Sequence, residues 1–194
     1  MSRQAVLGVI EALDALSIPY MVVGSLSSSV YGIARSTQDA DLVVELGATP
    51  VSAIASQLGR KFILNPQMSF ETTTATSRFD LRYAGTGFKI ELFLLSDDPH
   101  DRERFRRRKQ GMLFGRSVWL PTPEDVVITK LRWSQLGKRT KDVDDVRNVI
   151  AVQGERIDWE YVHRWCDAHG TRELLEEVRR SVPKLDDGPS PLLA

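Results

Sequence analysis

Between Val23 and Leu46 the chain reads as a short apolar strand, a Gly24-Ser25 turn, a serine-rich helix, a polar loop, and a second apolar strand opening with Asp39 and Asp41. No other stretch constrains the fold as tightly, because order, spacing and side-chain direction are all set within it. Residues two apart on a strand project to the same face. Asp39 and Asp41 therefore stand side by side at the mouth of the apolar run Leu42-Val43-Val44. Two convergent carboxylates suit a hard divalent cation such as Mg²⁺, which prefers oxygen ligands and usually keeps phosphate oxygens among them. The Gly24-Ser25 turn opens the intervening helix, whose first N–H groups and dipole favour an anion. Alone, each half has a plain structural explanation: Asp-x-Asp as a solvated turn, Gly-Ser as a helix N-cap. Together, with Arg35 and Thr37 between them, they describe a cation site facing a phosphate site.

The balance of the chain narrows the alternatives. Across 194 residues Lys plus Arg equals Asp plus Glu at 26 each, so no global field favours nucleic acid or membrane surfaces. The hydrophobic share is 42% and the charged share 27%, ordinary for a globular chain with one substantial core or two small ones. No apolar run approaches the ~18 residues of a membrane span, and the N-terminus lacks a signal-peptide pattern. The single cysteine, Cys166, cannot form an internal disulfide and fits a reducing compartment. These features lead to the expectation of a cytoplasmic location.

Apolar spacing at Val6, Leu7, Ile10, Leu13 and Leu16 predicts an opening helix to about Ser17, followed by a strand at Tyr20–Val23 and a helix from about Leu26 to Tyr31. Pro50 opens a further helix that Gly59 closes, and Phe62–Leu64 reads as a strand. Two strands between Arg78 and Leu95 are joined by the hairpin Ala84-Gly-Thr-Gly87. A charged helix is expected from about Asp101 to Lys109, with a last short strand at Val118–Leu120. Beyond Pro121-Thr-Pro123 the periodicity is helical, over about 124–136, 140–152, 158–168 and 171–181. The expected organisation is an α/β domain over 1–120, a helical bundle over 121–182 and a disordered tail over 183–194.

The fixed order Gly24-Ser25, Arg35, Thr37, Asp39, Asp41 resembles the nucleotidyltransferase superfamily that includes polymerase β. The form Arg-x-Thr-x-Asp-x-Asp is most similar to its abortive-infection (AbiE-type toxin) members. Later blocks follow the same pattern: Pro123-Glu-Asp125, Lys130-Leu131 and Lys141-Asp142-Val-Asp-Asp145. The resemblance spans Val23 to about Val149. It implies an α/β (α+β) nucleotidyltransferase domain with a mixed sheet and C-terminal helices. It also implies metal-dependent transfer of a nucleoside monophosphate from ATP, GTP or another triphosphate, with Mg²⁺ (or Mn²⁺) as cofactor. The implied partners are the triphosphate and an acceptor hydroxyl on RNA or tRNA, a protein or a small molecule. A toxin–antitoxin or phage-defence setting, with a cognate antitoxin or toxin, follows from the same resemblance.

A two-metal clamp asks for a third carboxylate. Glu91 is the first candidate, an acid among Ile90, Leu92, Phe93 and Leu94, where burial without a partner is costly. Asp80 is the second, and an edge-strand acid facing water is the plain alternative for Glu91. The resembled family usually carries Asp at this position, in a Lys-Val-Asp-Leu-Phe type of strand. The metal set expected is therefore Asp39, Asp41 and Glu91, and the nucleotide set Gly24, Ser25, Arg35, Thr37 and Lys130. Arg35 is expected on the aspartates or a phosphate, and Thr37 shapes the loop. In the helical region Lys130 and Asp142 both lean toward a core and are expected to pair. The resemblance adds functional roles for both, with Lys130 on the triphosphate; an interhelical salt bridge is the plain reading.

Two further clusters carry less. His163, Cys166 and His169 have zinc-like ligand types without a fourth ligand. The run Arg102 to Lys109 is either a solvated helix face or the one local footprint for RNA or DNA. Three function classes remain open on the sequence: a nucleotidyltransferase, a catalytically weak nucleotide-binding regulatory or antitoxin module, or a nucleic-acid-binding protein using Arg102 to Lys109.

Overall fold

The computed structural model describes residues 3–137 and 140–182. Its elements run α1 (Arg3–Ala15), β1 (Tyr20–Val23), α2 (Gly24–Tyr31), β2 (Asp39–Val44), α3 (Val51–Leu58), β3 (Phe62–Leu64), β4 (Ser69–Glu71), β5 (Thr76–Tyr83) and β6 (Lys89–Leu94). There follow α4 (Pro99–Arg107), β7 (Lys109–Leu113), β8 (Arg116–Leu120), α5 (Pro123–Gly137), α6 (Thr140–Gln153), α7 (Trp159–His169) and α8 (Arg172–Ser181). The main sheet has the order β1-β2-β6-β5-β3, with β4 also pairing β5. Only β2 and β6 are parallel; the other pairs are antiparallel, so the sheet is mixed.

Strand alternation divides this sheet into two faces. Ala40, Leu42, Val44, Leu81, Ile90 and Leu92 point to one side and bury against Val6, Val9, Ile10 and Leu13 of α1 and Ile54 of α3. The intervening residues, Asp39, Asp41, Arg78, Asp80, Lys89 and Glu91, share the opposite face. On that second face Met21, Val23, Val43 and Phe93 form a small apolar patch with Phe105 of α4 and Trp133 of α5. The C-terminal helices carry their own core, including Val127, Leu131, Val146, Val149, Val162 and Leu175. They seat against α2 because Gly32 has no side chain: a Cβ there would lie 3.0 Å from the backbone of Asn148 and Val149.

Several expected boundaries move. Helix α2 starts at Gly24, ahead of Leu26. Helix α4 starts at Pro99, because the Asp98 carboxylate accepts the N–H groups of His100 and Asp101 and caps it. It ends at Arg107, so Lys109 belongs to strand β7. Neither β4 nor β7 is apparent in the periodicity, and β8 begins at Arg116. The β7–β8 loop is Phe114-Gly115, both at positive φ (54° and 81°), the two-residue geometry that matches strand twist. The expected disordered tail over 183–194 lies outside the described residues. No helix among the described residues is long and apolar enough to cross a membrane.

Helices α4, α5 and α7 meet at a buried polar node. Asp125, with no exposed surface, accepts hydrogen bonds from Tyr161 Oη (2.7 Å), Thr122 Oγ1 (2.9 Å) and His100 Nε2 (3.2 Å). Burial alone would raise the Asp125 carboxyl, but His100, Tyr161 and Thr122 together hold it below the usual carboxylate range. Burial lowers His100. It also lowers His169, which with the nearby Arg132 charge falls from 6.5 to about 4. In both histidines the folded chain favours the neutral ring, so the unfolded chain takes up protons first as pH falls. Stability is therefore expected to fall as pH drops from 6.5 to about 4. Melting curves across this window should show that decline, and His169→Gln should flatten part of it. A slope unchanged by the substitution would contradict the half-buried, neutral His169.

Candidate active site

Strand β1 runs antiparallel to β2 and ends with Val23 opposite Asp41, which brings the start of α2 beside the aspartates. Gly24 sits at φ +64°, and a Cβ there would lie 2.0 Å from Asp41 Oδ2. Glycine at this position is what lets the carboxylate lie against the turn. No side chain caps α2, and Gly24, Ser25 and Ser27 line the cleft. Ser25 is thus not the N-cap; it lies within the helix, and its Oγ accepts from Arg35 Nη2 at 2.8 Å. Thr37 Oγ1 donates to Asp39 Oδ1 at 2.7 Å, so the loop threonine orients the first aspartate.

The strand register sets a row of acids across the sheet. Asp41 pairs with Glu91, and Glu91 with Asp80. Strand β6 lies between β2 and β5, so Glu91 is not an edge-strand residue. Its carboxylate meets Lys89 Nζ at 2.6 Å and Arg78 Nη1 at 2.9 Å, and the same two cations lie 3.4 Å from Asp80. Asp41 is pushed up to about 7: burial is the main cause, followed by the hydrogen bond and charge of Glu91 and the charge of Asp39, with Lys130 opposing them. A hydrogen bond between two carboxyl groups needs a proton on one of them. Asp41 thus stands where negative charge is crowded and a cation would be welcome.

The residues present fit a divalent cation in part. Asp39 and Asp41 offer hard oxygen donors on one strand face, and neither makes a salt bridge among the described residues. Glu91 is engaged with Arg78 and Lys89 instead. Among the described residues no three acidic, His or Cys side chains stand ready to hold a metal ion. The sequence-expected third arm therefore touches Asp41 but shares its carboxylate with two cations. His163, Cys166 and His169 are not gathered either: Cys166 is fully buried, and His163 meets Glu176.

The helical wall of the cleft is ionic. Lys130 Nζ lies 2.8 Å from Asp142 Oδ1, as the helix faces predict, and also 2.8 Å from Asp145 Oδ2. Arg35 pairs with Asp145 through two hydrogen bonds of 2.8 and 3.0 Å, rather than with Asp39 or Asp41. Burial would raise the Asp145 carboxyl, but Arg35 and Lys130 hold it low. The cavity enclosed between sheet and helices measures ≈ 150 Å³. Its lining includes residues not singled out from sequence, among them Arg78, Thr129 and Trp133. Trp133 stands edge-on to Phe93, ring centroids 6.2 Å apart. Its place one turn from Lys130 was the available signal; for Arg78 it was alternation with Asp80, which puts both on one strand face.

The arginines of the basic run are mostly ion-paired. Arg102 meets Asp97 and Glu45, Arg104 meets Asp101, Arg106 meets Glu103, and Arg107 lies near Glu124 and Asp125. Arg108 donates to the Phe105 carbonyl. A helix whose arginines are paired internally is a poor nucleic-acid footprint.

No protein-family model and no curated protein sequence matches the chain. Solved structures match in shape. The antibiotic-resistance factor ANT(2'')-Ia, in a crystal complex with adenylyl-2''-tobramycin, superposes with a TM-score of 0.60 at 12% identity, covering 88% of this chain and 97% of that one. A nucleotidyltransferase-like antigen from Paracoccidioides brasiliensis gives 0.52 at 18% identity over 92% and 93% of the two chains. The lincosamide antibiotic adenylyltransferase LnuA, lincomycin-bound, gives 0.50 at 10% identity over 78% and 98%. At these identities the likeness is one of architecture: the chain has the nucleotidyltransferase fold, a mixed sheet followed by C-terminal helices.

Proposed function

We propose that the chain is a metal-dependent nucleotidyltransferase that moves a nucleoside monophosphate from a triphosphate to an acceptor hydroxyl. The observation that carries this reading is the contact between Gly24 and Asp41. It sets an uncapped helix start, suited to phosphate, directly against two carboxylates that make no salt bridge among the described residues. In the reaction the acceptor hydroxyl gives up its proton to solvent and its oxygen forms a bond to the α-phosphorus, the bond from that phosphorus to the bridging oxygen breaks, and pyrophosphate leaves with the electron pair. Mg²⁺, held by Asp39 and Asp41, would supply charge neutralisation and activation of the attacking oxygen. Gly24, Ser25 and the α2 amides bind the leaving phosphates. Thr37 holds Asp39 in place, Lys130 balances the charge around Asp41, and Asp142 holds Lys130. Positioning and electrostatics then account for the catalysis.

The acceptor class stays within RNA or tRNA, protein hydroxyls and small molecules. Matched structures that hold adenylyl-tobramycin and lincomycin support the small-molecule arm. The toxin–antitoxin setting rests on the sequence resemblance alone. A second reading, a weakly active nucleotide-binding regulatory or antitoxin module, is favoured by one observation: Glu91, beside Asp41, is also ion-paired to Lys89 and Arg78.

Calorimetry with Mg²⁺ and each ribonucleoside triphosphate tests the site. Asp39→Ala and Asp41→Ala should each weaken metal-dependent binding by at least about tenfold, roughly 1.4 kcal/mol. Unchanged affinity in both variants would remove the site. Glu91→Ala should reduce transfer more than binding, and full activity in that variant would leave the reaction without a third carboxylate.

Lys130 has a structural consequence as well. Its ammonium is a shared partner of two buried carboxylates, so Lys130→Ala takes a charge-assisted contact from both. Denaturant unfolding should report a loss of about 3–5 kcal/mol. An unfolding free energy equal to the wild type would contradict the buried bridge.

A further inference from the structure

Arg35 lies in the loop between α2 and β2, and Asp145 lies on α6, 110 residues further along the chain. Their contact is bidentate, Nε to Oδ1 at 2.8 Å and Nη2 to Oδ2 at 3.0 Å. The same Nη2 also donates to Ser25 Oγ at 2.8 Å. The Nε–Nη2 edge of the guanidinium is therefore fully occupied by protein. On the other side, Asp145 Oδ2 takes Lys130 Nζ at 2.8 Å, and Asp145 is only 3% exposed. One buried carboxylate thus fixes both the arginine behind the Ser25 hydroxyl and the lysine beside Asp41.

Among the described contacts the charges in this group balance, Arg35 and Lys130 against Asp142 and Asp145. A neutral, internally bonded cluster has little net field to offer a triphosphate, which argues against direct phosphate binding by Arg35. Its bond to Ser25 has a different effect. An oxygen that accepts from a cationic donor becomes a better donor itself, because chained hydrogen bonds polarise one another. The Ser25 O–H is then left to donate, and it lies on a residue that lines the cleft.

We propose that Arg35 and Asp145 are positioning residues: Arg35 orients the Ser25 hydroxyl toward a phosphate oxygen without touching the nucleotide, and Asp145 holds Arg35 and Lys130 in common register. The inference rests on the cleft being a nucleotide site. It departs from the sequence expectation, which placed Arg35 on the phosphate or the aspartates.

A double-mutant cycle on the full chain separates these roles, with Mg²⁺ and each of ATP, GTP, CTP and UTP as probes. Arg35→Lys keeps the charge but not the fork that reaches Asp145 and Ser25 together. In the wild-type background it should weaken triphosphate binding about tenfold. In the Ser25→Ala background it should change affinity by less than about twofold, because the hydroxyl it orients is gone. Asp145→Asn should show the same dependence on Ser25; if that variant does not fold, Arg35→Lys decides alone. Equal losses in both backgrounds would mean that Arg35 contacts the nucleotide itself and would overturn the proposal. A lower melting temperature with unchanged affinity would reduce the pair to structural glue and would also overturn it. Absence of triphosphate binding by the wild type would instead remove the functional reading, and this inference with it.

Discussion

The site depends on a close approach between backbone and carboxylate. Asp41 lies against Gly24, where a Cβ would come within 2.0 Å of its Oδ2, and positive φ at that glycine turns the chain from β1 directly into α2. The contact brings together an anion-seeking helix start and an acid whose neighbours are also acids. Either feature alone would be unremarkable in a globular protein. Their juxtaposition creates an electrostatic problem that the rest of the cleft resolves.

The resolution is layered. Along the sheet, Lys89 and Arg78 are interleaved with Glu91 and Asp80, so the acid row is neutralised outward from Asp41. Across the cleft, Lys130 lowers the energy of charged Asp41 while being held by Asp142 and Asp145. Asp39 and Asp41 are left with the unmet demand for positive charge, and Asp41 responds with a pKa near 7. Burying a carboxylate beside like charges is unfavourable, so a fold that does so without a cation gives up stability at that point. Strain and unmet polar demand of this kind concentrate at functional sites, which is why the cleft, and not the ion-paired helix α4, carries the functional reading.

Much of this was legible in the sequence, and the rest was not, for identifiable reasons. The aspartate pair was readable because strand period places residues 39 and 41 on one face, whatever the surroundings. The Lys130–Asp142 bridge was readable because both residues sit on the apolar stripes of adjacent helices. Asp145 as a shared partner was not, because Arg35 reaches it from 110 residues away and only the packing of α6 on α2 brings them together. Strand β4 left no trace because it has three residues and its Phe70 is 67% exposed. Strand β7 is mostly polar and turns through Phe-Gly rather than the Asn-Gly or Asp-Gly that announces such a hairpin. The ion pairing of the basic run was not readable because Glu45 and Glu124, two of its partners, come from distant elements.

The most direct measurement of the central claim is transfer itself. The chain and its Asp41→Ala variant would be incubated with α-phosphate-labelled ribonucleoside triphosphates and Mg²⁺, with RNA, protein and small-molecule pools supplied separately. The account predicts label on one pool, with pyrophosphate released in step, for the wild type and not for Asp41→Ala. Label on no pool despite bound triphosphate, or equal labelling by the variant, would contradict it.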